Sequence, residues 1–77
     1  MKIKLSYHKL IKVPRYEDNS LIEIADKCTV RDLISSLELP GRITRSIIVR
    51  VNNEPAWNST ILKDGDFVKL LVTFGGG

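Results

Sequence analysis

The sequence predicts an α+β fold, a mixed sheet of four to five strands with one main helix packed across it. Three observations carry that prediction. Residues 3–7 and 67–73 alternate apolar and polar side chains, the period of a half-buried strand. Residues 30–37 instead carry their apolar side chains at helical spacing, with a capping residue in front. The order is strand, strand, helix, strand, a short irregular or edge segment, and strand. A lone amphipathic helix and a one-sided sheet each need the other to bury their apolar sides.

Ile3, Leu5 and Tyr7 alternate with Lys2, Lys4 and Ser6, giving the first strand. Leu10, Ile11 and Val13 extend it or open a hairpin, and Pro14 interrupts the pattern. Asp18-Asn19-Ser20 is turn chemistry. Leu21 to Ala25 reads as a second strand with Ile22 and Ile24 facing inward. Thr29 is a suitable N-cap and Asp32, three residues on, completes a variant capping box. Val30, Leu33, Ile34 and Leu37 form one stripe, and Pro40-Gly41 is expected to stop the helix. Ile47, Val49 and Val51 share a face of the third strand, and Asn52-Asn53-Glu54-Pro55 turns the chain. Residues 56–61 are mixed, with Trp57 and Ile61 as expected anchors and Trp57 partly buried. Lys63-Asp64-Gly65-Asp66 is a strong turn, with Gly65 able to supply φ > 0. In the last strand Val68, Leu70 and Val72 face one way and Phe67, Lys69, Leu71 and Thr73 the other.

Seventy-seven residues make one thin-cored domain. One cysteine, Cys28, and one histidine, His8, exclude an intramolecular disulfide and a Cys/His metal cage. A lone thiol suits a reducing compartment, and the N-terminus lacks a signal peptide's apolar run. The longest apolar runs are too short to cross a bilayer, so no membrane partner is expected and the protein reads as cytoplasmic. The net charge of +3 invites a nucleic-acid reading. The basic residues are scattered among nine acids, however, which points to solvated surface.

The chemistry is expected at the end of the chain. Gly75, Gly76 and Gly77 add no packing and form a thin tail beyond a domain spanning residues 1–74. Three residues extend roughly 10 Å, at about 3.3–3.6 Å each. The reactive group on this tail is the carboxylate of Gly77, a poor acyl donor until it is joined to AMP. Residues 60–77 read Thr-Ile-Leu-Lys-Asp-Gly-Asp-Phe-Val-Lys-Leu-Leu-Val-Thr-Phe-Gly-Gly-Gly. This stretch resembles the C-terminal signature of the ubiquitin-like sulfur carriers of the ThiS/MoaD family, which serve thiamine and molybdopterin synthesis. Thr29 to Ile34 is similar to that family's helix start, and Val49 to Glu54 to its third strand and turn.

The resemblance implies a β-grasp fold and a carrier rather than an enzyme, with no cofactor or metal of its own. An E1-like ATP-dependent adenylating enzyme would activate Gly77, and a sulfurtransferase or persulfide donor would convert it to a thiocarboxylate. A synthase (thiazole synthase or the molybdopterin synthase large subunit) would consume the sulfur. Gly75 and Gly76 would thread the partner's channel, and Phe74, Phe67 and Leu71 would belong to the docking surface. The chain departs from the pattern in its third glycine and in a longer first connection, about residues 7–19, which leaves the pathway open. Two alternatives stand beside the carrier: a protein modifier joined through Gly77 to lysines, and a β-grasp nucleic-acid-binding module.

Other residues have simpler explanations. Cys28 lies before the helix, where a dipole lowers a thiol pKa, but it has no identifiable base and reads as a small hydrophobe. His8 reads as a surface residue, and Asp64 and Asp66 as turn formers around Gly65. Arg42, Arg45 and Arg50 surround the third strand as scattered surface arginines or as a positive rim for an acidic partner.

Overall fold

The computed structural model describes residues 1–73; Phe74 to Gly77 lie outside the described residues. The strands are β1 (Lys2–Tyr7), β2 (Ser20–Glu23), β3 (Ile47–Val51), β4 (Glu54–Pro55) and β5 (Phe67–Val72). Two helices, α1 (Val30–Ser36) and α2 (Gly41–Thr44), lie between β2 and β3. The strands form one sheet in the order β2-β1-β5-β3-β4. The central pair, β1 and β5, is parallel, and every other pair is antiparallel. This is the expected mixed sheet, with the β-grasp arrangement of a helix across one face.

The core follows the sequence pattern. Ile3 and Leu5 on β1, Ile22 on β2, Val49 on β3, and Val68 and Leu70 on β5 are buried. Val30, Leu33 and Leu37 cover them from the helix side. The α1 cap forms as its residues predict: Thr29 Oγ1 accepts from Asp32 N at 3.1 Å, and the Asp32 carboxylate accepts from Thr29 N at 3.1 Å. The helix ends earlier than expected. Glu38 takes the left-handed conformation, φ 56°, after a seven-residue helix. Pro40-Gly41, expected as the stop, instead opens α2, a single turn that buries no residue.

The first connection does not extend β1; it is the long loop of the hairpin that β1 and β2 form as antiparallel neighbours. Ile11 N donates to His8 O at 2.8 Å in a tight turn. Ile11 and Val13 enter the core from this loop, while Leu10 points out. Asp18 pins the far end, its Oδ1 accepting from Ser6 Oγ at 3.0 Å and from Tyr7 N at 2.8 Å. Those donors hold the Asp18 carboxyl below its usual range, the Tyr7 amide contributing most.

Two further expectations are corrected near β4. The turn there is only Asn52-Asn53, both left-handed at φ 54° and 68°, as a two-residue hairpin connection requires. Glu54 and Pro55, expected inside the turn, form β4, where the proline's missing N–H is harmless on an edge. The mixed segment after it serves the helix: Val30 N donates to Thr60 O at 2.9 Å and Arg31 N to Asn58 O at 3.1 Å. These carbonyls satisfy amides that a helix start otherwise leaves unpaired. A bridge between Thr29 and Ile61 fixes which way the segment faces. Leu62 therefore anchors the core, while Ile61 and Trp57 are exposed, Trp57 to 72%. The expected burial of Trp57 does not occur.

Candidate functional site: the open sheet face and the start of the tail

Strand alternation gives β5 two faces. Val68 and Leu70 point under the helix; Phe67, Lys69 and Leu71 point to the uncovered side. Register brings neighbours to them: Ile48 lies opposite Leu71, Arg50 opposite Lys69, and Lys4 opposite Phe67. Leu21 on β2 lies beyond Lys4 on the same face. Phe67 and Leu71 are half-buried, whereas Leu21 is 71% and Ile48 44% exposed. The Lys4 ammonium sits 5.7 Å from the Phe67 ring centre, in cation–π range. The structure thus brings two of the three expected docking residues, Phe67 and Leu71, to one face, and it adds Ile48, Leu21 and Lys4, which the sequence reading did not single out. Period-two alternation in three strands already placed these side chains; the strand order that joins them was missing.

The Lys63–Asp66 turn fixes where β5 begins. Gly65, at φ 86°, donates its amide to Lys2 O at 2.7 Å, and Asp64 Oδ1 accepts from Lys2 N at 2.8 Å. Asp66 is buried and accepts from Lys63 N at 2.8 Å and from Asn52 Nδ2 at 2.9 Å. Asn52 also accepts from Phe67 N through Oδ1 at 2.9 Å. Both carboxylates are therefore engaged in stitching β1, β3 and β5 together. Among the described residues no group of three His, Cys, Asp or Glu is placed to hold a metal ion.

At the other end of β5 the chain is held once more before the described residues end. Thr73 donates both N, at 2.9 Å, and Oγ1, at 3.0 Å, to the carbonyl of Ser46. Ser46 follows α2; Arg42 within that helix and Arg45 just after it are exposed. The expected tail residues Gly75, Gly76 and Gly77, and Phe74 of the docking surface, lie outside the described residues.

Cys28 is unsuited to carry sulfur. Partial burial pushes its thiol pKa up, and the neighbouring Asp32 charge adds to the rise. Its Sγ donates to Thr29 O at 3.4 Å. A cleft of about 270 Å³ brings Cys28 and Asp32 to one wall, but Asp32 is committed to the helix cap. Thiol activation needs a neighbouring cation or base, the opposite of this arrangement. His8 is half-buried rather than fully at the surface, with Nδ1 accepting from Leu10 N at 3.1 Å.

This arrangement, a five-stranded mixed sheet with α1 across one face, defines a ubiquitin-like β-grasp protein. The ThiS family model matches residues 9–77, and the chain belongs to that family of small sulfur carriers. Two solved structures share the fold across their full length. SAMP1 from Haloferax volcanii is 19% identical with a TM-score of 0.68, covering 100% of both chains. A chain from a complex of subunits 1 and 2 of the molybdopterin-converting factor from Helicobacter pylori is 24% identical with a TM-score of 0.64, again covering 100% of both. No curated protein matches the chain. Among the described residues no helix is long and apolar enough to cross a membrane.

Proposed function

We propose that this carrier acts in cofactor biosynthesis as a cosubstrate, with Gly77 as the C-terminal residue and its carboxylate as the sulfur-bearing group. The observation that carries this reading is the family match, which runs through the glycine tail to residue 77. The geometry supports it: Thr73 is fixed on Ser46, and the four residues beyond it reach at most about 14 Å when extended. Glycines let that backbone lie close to a nucleotide, because no Cβ obstructs the approach.

The first step joins a Gly77 carboxylate oxygen to the α-phosphorus of ATP in an E1-like enzyme, and pyrophosphate leaves. The terminal sulfur of a donor persulfide then attacks the acyl carbon and expels AMP. A second thiol cleaves the resulting S–S bond, becoming part of a disulfide and releasing the Gly77 thiocarboxylate. A synthase accepts this sulfur; the fold's likeness to a chain from a two-subunit molybdopterin-converting factor supports a partner of that kind. Phe67 and Leu71, with Phe74, form the docking surface. The chain's own residues position the tail and perform no bond-making step.

Incubation with the cognate adenylating enzyme, ATP and a persulfide donor is expected to raise the intact mass by about 16 Da, one oxygen replaced by sulfur. A variant lacking Gly76 and Gly77 is expected to keep the fold and lose the mass gain. An unchanged mass in the full chain, with an enzyme active on another carrier, refutes the reading.

A further inference from the structure

The positive charge that is scattered along the sequence is gathered by the fold. Lys2 and Lys4 on β1, Arg50 on β3 and Lys69 on β5 all project from the open face, against Glu23 on β2. Asp18 stands at the edge near Lys69, its Oδ1 occupied by Ser6 and Tyr7. The ion pair recorded among the described residues, Met1 with Asp26, involves none of the four cations. Arg50 and Lys69 are directly opposite one another across the β3–β5 ladder. Like charges in that relation destabilise a sheet. The sequence carries this cost at the centre of the one sheet face the helix leaves bare, beside exposed Ile48 and half-buried Leu71 and Phe67.

We propose that the open face docks on a protein surface that is apolar at its centre and acidic around it, with carboxylates meeting Lys4, Arg50 and Lys69. The proposal rests on the carrier reading, because the partner it is tested against is the enzyme that would activate Gly77. The repulsion between Arg50 and Lys69 is relieved when partner carboxylates lie between them. The composition of the face favours protein over nucleic acid. Single-stranded nucleic acid is held by aromatic platforms on which bases stack. Among the described residues the apolar groups of this face are mainly aliphatic, and its aromatic ring, Phe67, has Lys4 over it.

The test compares the full chain with Arg50→Glu and Lys69→Glu, and with Lys12→Glu in the first connection as a charge-matched control. Association with the cognate adenylating enzyme is measured by stopped flow between 50 and 200 mM salt, alongside the thermal melt of each variant and its ATP-dependent mass gain. Steering by complementary charge sets on-rates more than final affinity. Each open-face reversal is expected to slow association about tenfold at low salt and to flatten its salt dependence, with the control within about twofold. Because Arg50→Glu turns a like-charge pair into an opposite-charge one, it is expected to melt no lower than wild type, and Lys69→Glu, which exchanges an attraction to Asp18 for one to Arg50, is expected to melt close to it. Loss of binding therefore cannot be ascribed to unfolding.

Association rates unchanged in both open-face variants, with a normal mass gain in the full chain, overturn the docking inference and leave the carrier standing. No mass gain in the full chain refutes the carrier reading, and this proposal with it. A uridine homopolymer bound more tightly than the enzyme, and released by the same reversals, overturns the proposal in favour of a nucleic-acid surface.

Discussion

Asn52 is the residue whose replacement most directly tests how the start of β5 is held. Its φ of 54° is left-handed, and its side chain donates to buried Asp66 at 2.9 Å and accepts from Phe67 N at 2.9 Å. Alanine at this position removes both bonds and places a Cβ residue where left-handed backbone costs about 1–2 kcal/mol. A neutral hydrogen bond contributes about 0.5–1.5 kcal/mol net, and one to a charged group about 1.5–3. Water replaces part of the Phe67 bond, since Asn52 is exposed. The expected loss for Asn52→Ala is then about 2–4 kcal/mol, most of the roughly 3–5 available to a core this small. Asn52→Gly removes the same bonds without the backbone strain, so it is expected to retain about 1 kcal/mol more than alanine. Urea unfolding followed by far-UV circular dichroism measures both; Trp57 is too exposed to report. Two variants within about 0.5 kcal/mol of wild type, or glycine worse than alanine, refute the reasoning.

Thr29→Ala removes the α1 N-cap and is expected to cost about 1 kcal/mol by urea titration, since Asp32 N loses its partner at 3.1 Å. Asp18 and Asp32 are both held below the usual carboxylate range, Asp18 chiefly by the Tyr7 amide and Asp32 chiefly by the Thr29 amide. Their lowered folded-state pKa values make the unfolded chain bind protons first, so their contribution is complete above the unfolded value and is lost as pH falls through the lower folded ones. Thermal melts are expected to be insensitive to these two groups near neutrality and to drop below about pH 4; the double variant Asp18→Asn, Asp32→Asn is expected to show a shallower acid slope. An identical slope in that variant contradicts the assignment.

Local signals carried the elements of the fold. Thr29 and Asp32 announced the helix start, and alternation gave both faces of β1 and β5. Legibility failed where a contact distant in sequence decided the local shape. Residues 57–62 have no pattern of their own because their carbonyls are shaped by the amides of α1, and Trp57 is left outside for the same reason. Glu38 ends the helix in a conformation usually given to glycine or asparagine, so the proline two residues later misled. The site divides similarly. Phe67 and Leu71 were readable from one strand, while their company with Ile48, Arg50 and Lys4 depends on β5 lying between β1 and β3. The concentration of charge on that face was invisible along the chain for this reason.

The parallel run of β1 beside β5 also decides how the molecule answers to force. Both strands point the same way, so Met1 and Thr73 stand at opposite ends of the ladder. Tension between the two termini slides β5 along β1 and strains every rung at once, where an antiparallel pair pulled from one end opens rung by rung.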